Sequence, residues 1–573
     1  MSLLEKIPDK NHLSSSEKTE ERSHSVSIGK YLLDSLQKRG VDHIFGIPGD
    51  YVLRFDKLIE NHSIRFINAT RENTAGYMAD AYARLRGLGV ACITYGVGIN
   101  IANALSQAFV ENSPLVVISG SVGTKDTQQD IKLHHLINEF SKDTKDTTQL
   151  AIFKHITIGQ AVLDNPYTAV EQIEAILDLC LETQKPVYIE LPKDMVDVPV
   201  MRTPKKSNVQ PQQYDAKALE EALEEFKHIL KTCQRPVIWI GHEIQRFGLA
   251  PYLLQFAERY RIPIVSSLLG KTAISEYHPL FVGVYQGAMS RPEVAQFVES
   301  CDCIFMLGLL LTDVDTGIFT AKLEYDQKVT ASTETIEIGH HHYKKVSFVN
   351  FMHDIAGIDL NIRFRHEYPA SIDRDIPAFK PMAKAKTTSK RIFECIQQLI
   401  KRDHIVITDI GDCLFGSADL ILEQNSFLAC AYFGSLGFAV PGSIGAQIAE
   451  PQRRVIAIVG DGAFQMTSME LSTAVRYHLD PIIIVLNNHG YGTERPILEG
   501  SYNDIQDWNY SEIPRILRGG VGIKATTEEE FANALKEGMT KRGTFYLIEV
   551  DLEKTDFSPA MRRFSQVVNK QQF

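Results

Sequence analysis

The sequence contains few cysteines, no surplus of basic residues and no long apolar run, and each of these absences excludes a class of protein. Eight cysteines are scattered among 573 residues, and the closest two, Cys301 and Cys303, have the spacing of neither a CxxC motif nor a zinc knuckle. A disulfide framework and a structural zinc site are therefore not expected. Buried, reduced thiols in a cytoplasmic protein are the simpler interpretation.

Charge and hydropathy argue against nucleic acid and membranes as partners. The chain has 71 acidic and 60 basic residues, which gives a formal net charge of −11 at pH 7. It offers no basic surplus to bind nucleic acid or an anionic membrane surface. No uninterrupted apolar run approaches the roughly 18 residues of a membrane-spanning helix. Residues 1–24 are rich in Ser, Lys and Glu and lack an apolar signal core, so they are expected to be a disordered tail.

The chain is too long for one hydrophobic core, and its pattern repeats a single scheme three times. Short apolar, strand-like runs alternate with helical segments in residues 25–200, 216–364 and 389–573, and proline-containing polar stretches separate these regions. Such alternation predicts parallel sheets covered by helices. The expected fold class is therefore α/β, with three doubly wound parallel-sheet domains.

Residues 453–494 combine two apolar strands with a glycine turn and a polar loop. The first strand ends at a Gly-Asp-Gly turn, residues 460–462, and the second at an Asn-Asn pair, so both ends should meet at one sheet edge. Glycine lets a ligand approach the backbone, and N–H groups at a helix start bind phosphate. Asp461, Asn488 and a carbonyl such as that of Gly490 supply the hard oxygens that Mg²⁺ prefers. Taken alone, however, Gly-Asp-Gly is explained as well by an ordinary tight turn.

Polar side chains in the first region also follow predicted strands. Asp50 ends the segment FGIPGD, and Glu72 opens a helix after IRFIN. A carboxylate at a helix start is commonly stabilised by the helix dipole alone, and the adjacent His134 and His135 lack the i, i+4 spacing of a helical metal pair. Without further context, ordinary surface roles would explain all four residues.

Several motifs occur in a fixed order along the chain. They are GIPGD, RENTAGYMADAYAR, YGVGINIANALSQAFVENSPLVVISG, the His-His pair, GDCLFG, YFGSLGF, GDGAFQMTSMEL and NNHGYGTE. With them the chain, from about Ser25 to its C-terminal helix, resembles the pyruvate decarboxylase family of thiamine-diphosphate enzymes. The resemblance is to the branch that includes indolepyruvate, phenylpyruvate and branched-chain 2-keto acid decarboxylases. It implies non-oxidative decarboxylation of a 2-keto acid to an aldehyde and CO₂, through an ylide and an enamine of thiamine diphosphate bound with Mg²⁺.

The resemblance also implies roles for the matching residues. The Mg²⁺ ligands would be Asp461, Asn488 and the Gly490 carbonyl. Cofactor-binding residues would be Glu72, which activates the cofactor, Gly434, whose carbonyl accepts from the exocyclic amine, Leu436, which enforces the bent conformation, and Gly460, Asp461, Gly462, Ala463, Asn488 and Thr493. Catalytic residues would be Glu72, Glu494 facing the substrate carboxylate, and Asp50, His134 and His135 as candidates to deliver a proton. The substrate pocket would include Thr493, Ile497 and Asp412.

An assembly follows from the same resemblance. In the family, the domains that carry Glu72 and Asp461 do not meet within one chain, and the site lies between two subunits. A homodimer is therefore expected as the minimal active unit, and a homotetramer as the full assembly.

The substrate class is predicted from Thr493 and from the similarity of GDCLFG and the C-terminal region to phenylpyruvate-type members of the family. Thr493 stands where many relatives carry a β-branched aliphatic residue, which favours 2-keto acids bulkier than pyruvate, whether branched, aromatic or long-chain. A pyruvate decarboxylase proper and a carboligase similar to acetolactate synthase are alternatives. A dinucleotide-binding oxidoreductase is disfavoured, because no strand is followed by GxGxxG and an acidic residue some twenty positions later.

Overall fold

In a computed structural model of the chain, three large sheets account for most of the regular structure. The structure describes residues 25–128, 131–137, 146–201, 214–325, 327–376 and 378–571. The predicted tail at 1–24 lies outside the described residues. Among the helices of this described part, none is long and apolar enough to cross a membrane.

A six-stranded parallel sheet forms the N-terminal part. Its elements, with a short antiparallel ribbon of β1 and β8, are β1 (Val26–Ser27), α1 (Ile28–Lys38), β2 (His43–Gly46), α2 (Leu53–Glu60), β3 (Arg65–Asn68), α3 (Glu72–Arg86), β4 (Gly89–Thr94), α4 (Ala102–Val110), β5 (Leu115–Ser121), α5 (Thr148–Phe153), β6 (Gly159–Val162), α6 (Ala169–Thr183), β7 (Val187–Pro192) and β8 (Pro199–Val200). The strand order is β3-β2-β4-β5-β7-β6. Strands β4, β5 and β7 are buried along their whole length, as the inner strands of a parallel sheet must be.

The central part contains a seven-stranded mixed sheet. Its elements are α7 (Ala216–Thr232), β9 (Pro236–Ile240), α8 (Glu243–Arg246), α9 (Ala250–Tyr260), β10 (Ile264–Ser266), β11 (Phe281–Val284), α10 (Pro292–Glu299), β12 (Cys303–Leu307), β13 (Gln327–Ala331), β14 (Ile336–Ile338), β15 (His341–Tyr343) and α11 (Phe348–Gly357). The order is β11-β10-β9-β12-β13-β14-β15, and β14 and β15 run antiparallel to their neighbours. This departs from the predicted wholly parallel sheet, because the connection between β13 and β14 is too short for a parallel crossover.

The C-terminal part again contains a six-stranded parallel sheet. Its elements are α12 (Ser389–Leu399), β16 (Ile405–Thr408), α13 (Asp412–Ala418), β17 (Phe427–Ala429), α14 (Ala439–Ala449), β18 (Val455–Gly460), α15 (Asp461–Thr467), α16 (Leu471–Arg476), β19 (Ile482–Asn487), α17 (Ile513–Leu517), β20 (Val521–Ala525), α18 (Glu528–Thr540), β21 (Tyr546–Asp551) and α19 (Pro559–Gln571). The order is β17-β16-β18-β19-β21-β20. The predicted α/β fold class is thus confirmed. Each sheet lies within one of the three predicted ranges, whose bounds stay a prediction.

The N-terminal and C-terminal parts of the chain pack directly against each other. Helix α3 lies on α14 so closely that a Cβ atom on Gly445 would come within 2.1 Å of the Met78 carbonyl oxygen. One continuous hydrophobic core contains residues of both helices. Thr70 also donates a hydrogen bond from its backbone N–H to Glu470, at 3.2 Å. The expectation that these two domains do not meet within one chain is therefore wrong.

Candidate active site

Asp461 begins helix α15 at the carboxyl end of β18, where the Gly-Asp-Gly turn was predicted. Its side chain is almost fully buried and accepts hydrogen bonds from the backbone N–H groups of Gly462, at 3.0 Å, and Gly490, at 2.8 Å. Burial raises the pKa of Asp461 to about 6, although both hydrogen bonds favour its ionised form. Buried carboxylates are usually paired with a cation or coordinate a metal, and Asp461 has the surroundings of such a group.

Three oxygen atoms converge beside this turn. The Asn488 Oδ1 atom lies 3.1 Å from Asp461 Oδ1 and 2.9 Å from the Gly490 carbonyl oxygen. Adjacent ligands of an octahedral Mg²⁺ are about 2.9 Å apart, since Mg–O distances are about 2.1 Å. A half-turn of the Asn488 amide would convert both contacts into hydrogen bonds. With the amide oxygen facing inward, the three atoms fit a cation such as Mg²⁺.

Tyr491 and Asn503 shape the same site and were not identified from the sequence. Gly490 has φ +148°, and a Cβ atom there would lie 2.0 Å from the carbonyl oxygen of Asn503. A Cβ atom on Gly462 would lie 2.7 Å from the Tyr491 ring. Both glycines are therefore required by close approaches of the chain. The only available sequence signal was the repeated glycine in NNHGYG.

A cavity of about 160 Å³ adjoins the three oxygen atoms. All its lining residues come from the C-terminal part of the chain, between Ile410 and Phe557. The predicted residues among them are Asp412, Gly434, Leu436, Gly460, Asp461, Gly462, Ala463, Asn488, Gly490, Thr493 and Glu494. Ile497 does not line the cavity. In the turn after Glu494, the Ile497 N–H donates to the Glu494 carbonyl at 3.0 Å. This turn packs the Ile497 side chain against the core instead.

Asp412 and Thr493 form one wall of this cavity. Asp412 accepts hydrogen bonds from the Ser558 N–H, at 2.9 Å, and from the Ser389 hydroxyl, whereas its buried Oδ1 atom has no hydrogen-bond partner among the described residues. Burial raises the pKa of Asp412. Thr493 packs against Gly411, where a Cβ atom would lie 2.4 Å from the threonine Oγ1. The wall therefore presents an unpaired carboxyl oxygen beside a hydroxyl group.

Asp50, His134 and His135 form a second cluster, in the N-terminal part. The His134 Nε2 atom lies 2.7 Å from Asp50 Oδ2, and the His135 Nε2 atom lies 3.9 Å from Asp50 Oδ1. The Tyr51 ring stacks on His134, and its hydroxyl donates to the His134 carbonyl at 2.8 Å. His134 and the carboxylate of Asp50 can therefore exchange a proton directly, whereas His135 lies beyond hydrogen-bond distance of it.

Glu72 is the first residue of α3 and is only half-buried. The Asn100 amide donates a hydrogen bond to its Oε2 atom at 3.0 Å. Neither Glu72 nor any member of the Asp50 cluster lines the cavity beside Asp461. Within one chain, the structure thus gathers most of the predicted C-terminal residues around one cavity and joins Asp50 to the two histidines, but it does not join these two sets.

A buried carboxylate of the N-terminal part supports the loop that carries Gly434 and Leu436. Glu111 accepts hydrogen bonds from the Tyr432 and Phe433 N–H groups, both at 2.9 Å, and pairs with Arg84 at 2.7 Å. At the other end of the loop, the fully buried Asp409 accepts from the N–H groups of Gly437 and Ala439. Sequence reasoning missed both carboxylates, because nothing near them in the chain marks them.

Comparisons with known proteins agree with this geometry. Three family models match, described as the N-terminal TPP binding domain (residues 26–147), the central domain (223–356) and the C-terminal TPP binding domain (409–550) of thiamine pyrophosphate enzymes. An indole-3-pyruvate decarboxylase of Azospirillum brasilense is 32% identical over 94% of this chain and 98% of the relative. Pyruvate decarboxylase 2 of Oryza sativa subsp. japonica is 30% identical over 95% and 91%, respectively. Pyruvate decarboxylase 4 of Arabidopsis thaliana is 29% identical over 95% and 92%.

Proposed function

The chain belongs to the thiamine-diphosphate-dependent 2-keto acid decarboxylases, and from this premise we propose how its residues share the work. Asp461, Asn488 and the Gly490 carbonyl hold Mg²⁺, and the N–H groups of Gly462 and Ala463 receive the diphosphate at the start of α15. The observation that carries this assignment is the convergence of three oxygen atoms at 2.9 and 3.1 Å. A dinucleotide-binding oxidoreductase is no longer an alternative.

The residues around the cavity position the cofactor and the substrate. Bound thiamine diphosphate supplies a carbon nucleophile and an electron sink for the bond to CO₂. When the cofactor is bound, the Gly434 carbonyl would accept a hydrogen bond from its exocyclic amine, the Leu436 side chain would pack against its rings, and Glu72 would hold a proton at the pyrimidine ring. Glu494 faces the substrate carboxylate, and the Asp50 cluster delivers the proton that the aldehyde carbon needs.

The assembly proposed for this chemistry is a homodimer, and two such dimers form the homotetramer. The support is that the cavity has no residue from the N-terminal part of its own chain. In addition, several large apolar side chains near the cofactor loop are exposed, which favours burial by another subunit. They are Tyr432, Phe433, Met466 and Met469. A second chain would supply Glu72, Asp50 and the two histidines.

Mixed dimers test this assembly and the residue roles together. Chains with Glu72→Gln and chains with Asp461→Asn are each expected to be nearly inactive. When the two are co-expressed, half of the dimers are mixed and each mixed dimer has one intact site, so about a quarter of the wild-type rate should return. If both residues acted within one chain, the mixture would stay as inactive as its parts.

The substrate proposed for the site is a 2-keto acid bulkier than pyruvate. The support is the wall of Thr493 and Asp412, which differs from a purely aliphatic one. Aldehyde formation should be measured across aliphatic, branched and aromatic keto acids, with and without thiamine diphosphate and Mg²⁺. Pyruvate as the substrate with the highest kcat/KM would identify a pyruvate decarboxylase proper. Two keto acids joined with loss of one CO₂ would identify a carboligase.

The compartment proposed for the protein is the cytoplasm. All eight cysteines are buried free thiols, which is the state that a reducing compartment maintains. Fractionation of the source cells, with the protein detected by antibody, would test this location.

A further inference from the structure

The cluster of Asp50, His134 and His135 has the ligand set of a transition-metal site, in addition to its proposed part in proton transfer. Each residue offers one ligand atom, and these three atoms lie within 4.8 Å of one another. Two ligands of one ion can be about 4.2 Å apart when each lies about 2.1 Å from it, so small side-chain rotations would let all three reach the ion. Among the residues that the structure describes, no other group of three such side chains comes as close together.

The backbone and a neighbouring ring hold both imidazole rings in place. The Tyr51 ring stacks on His134 with centroids 5.0 Å apart. His135 has φ +66°, which is rare for a residue with a side chain, and its carbonyl oxygen would lie 2.2 Å from a Cβ atom on Gly96. Adjacent side chains of an extended chain point in opposite directions, yet these two rings lie with centroids 4.7 Å apart. Backbone strain of this kind persists where the surrounding structure enforces it, and it is concentrated at functional sites.

Both Nε2 atoms face the carboxylate of Asp50. The His134 Nε2 atom lies 2.7 Å from Oδ2, and the His135 Nε2 atom lies 3.9 Å from Oδ1. Adjacent ligands of a tetrahedral Zn²⁺ are about 3.3 Å apart, since Zn–N and Zn–O distances are about 2.0 to 2.2 Å, and the two observed distances lie on either side of this value. Zinc sites that are open to solvent have three protein ligands and one water. The His134 side chain is 62% exposed, so water can reach the fourth position.

The ligand chemistry of the cluster differs from that of the proposed Mg²⁺ site. Two imidazole nitrogens and one carboxylate suit ions such as Zn²⁺, Co²⁺ and Fe²⁺, whereas Mg²⁺ prefers oxygen ligands. Asp461, Asn488 and the Gly490 carbonyl offer three oxygen atoms and no nitrogen. The two sites should therefore select different ions from a mixture.

We propose that Asp50, His134 and His135 bind a divalent transition-metal ion such as Zn²⁺, and that the bound ion inhibits the enzyme. The ion occupies the lone pairs of both Nε2 atoms and the carboxylate oxygen, which otherwise carry the proton. The enzyme then keeps its cofactor and Mg²⁺ but loses proton delivery to the aldehyde carbon. The inhibition rests on the proposed function, whereas the binding of the ion does not.

The position of the ion is tested with a crystal of the holoenzyme, grown with Mg²⁺ and soaked in zinc chloride. Anomalous scattering at the zinc edge should show one peak at about 2.0 to 2.2 Å from both Nε2 atoms and from the Asp50 carboxylate. Zinc at Asp461, or only at surface histidines such as His341, overturns the proposal. The crystal uses the wild-type chain, so its answer does not depend on the folding of a variant.

Titration with Co²⁺, followed by its visible absorption, tests the three ligands in solution with Mg²⁺ in excess. Asp50→Asn, His134→Gln and His135→Gln should each weaken binding by at least about 100-fold, because even residues that only support a metal ligand are worth about 10- to 100-fold. His341→Gln is the matched control, since His341 is exposed and its Nδ1 atom lies 2.9 Å from the carboxylate of Glu225. Binding that survives in the three cluster variants, or that is lost in the control, contradicts the assignment.

Reaction rates of the wild type separate inhibition from binding. Zn²⁺ should lower the rate of aldehyde formation, a chelator selective for zinc should restore it, and the amount of bound thiamine diphosphate should stay constant. Additional Mg²⁺ should not relieve the inhibition. Relief by Mg²⁺, together with loss of the cofactor, would place the inhibitory ion at Asp461 and overturn the proposal. Zinc bound at the cluster without any change in rate would leave the metal site intact and refute the proposed proton delivery.

Discussion

The two parts of the candidate site differ in how completely one chain builds them. Asp461 is 1% exposed and is held by two backbone N–H groups, whereas the side chains of Asp50 and His134 are 46% and 62% exposed. The side that we propose to hold Mg²⁺ and the diphosphate is therefore rigid before any partner binds. The side that we propose to transfer a proton is open to water, which solvates its histidine and carboxylate. In the proposed dimer, the rigid part of one chain closes over the open part of the other.

The largest effect should follow from breaking the rigid part. Asp461→Asn removes the charge of a proposed Mg²⁺ ligand, and even substitutions of residues that only hydrogen-bond to a metal ligand cost about 10- to 100-fold in affinity. We expect binding of thiamine diphosphate with Mg²⁺ to weaken by at least about 100-fold and activity to be lost. Calorimetric titration of the cofactor measures this. Asp403→Asn, at an exposed position, is the control, and equal affinities in the two variants would contradict the assignment.

The open part should respond differently. Glu72→Gln should reduce kcat by about 10²- to 10⁴-fold, as for the loss of a positioned acid–base group, and cofactor affinity should change little. Steady-state rates and cofactor titration on the same preparation separate the two effects. If affinity falls as far as the rate, Glu72 anchors the cofactor and the contrast between the two parts disappears.

Glu111→Gln should affect the rigid part from a distance. The glutamine amide would place an N–H donor against the guanidinium donors of Arg84, in place of a carboxylate oxygen. Breaking a buried ion pair in this way typically lowers the free energy of unfolding by about 3 to 5 kcal/mol. We expect a lower thermal unfolding midpoint and weaker cofactor binding. The reason is that the Tyr432 and Phe433 N–H groups donate to Glu111, and these hydrogen bonds hold the loop that leads to Gly434. Glu224→Gln, at the surface, should change neither quantity. An unchanged midpoint in Glu111→Gln would mean that the carboxylate is not needed.

The smallest effect concerns pH. Burial raises the pKa of Asp409 to about 6, from an ordinary value of 3.8, so between these values the folded protein holds a proton that the unfolded chain releases. This contribution to stability is present below pH 3.8 and is lost as pH rises through 6, by at most about 3 kcal/mol. Asp409→Asn should therefore flatten the fall of the unfolding midpoint between about pH 4 and 6. Parallel curves for variant and wild type would contradict the raised pKa.

The sequence predicted those features of the site that depend on residues close together in the chain and on the ends of adjacent strands. Asp461 and Asn488 lie together because β18 and β19 are adjacent parallel strands, as their apolar pattern indicated. Ile497 stays a predicted pocket residue: the direction of a side chain in a loop depends on the turn, and in this structure the turn packs it against the core. Glu111 escaped notice because its partners at 432 and 433 are more than 300 residues away, and only tertiary packing brings them together. The close contact of α3 with α14 has the same cause.

That contact has a consequence for the synthesis of the protein. The apolar face of α3 is covered by α14, which follows it in the chain by more than 300 residues. At about 5 to 20 residues per second, roughly 20 to 70 seconds separate the emergence of the two helices from a ribosome. During that interval the N-terminal part cannot complete its core. The nascent chain therefore presents an uncovered apolar helix to chaperones that bind such surfaces.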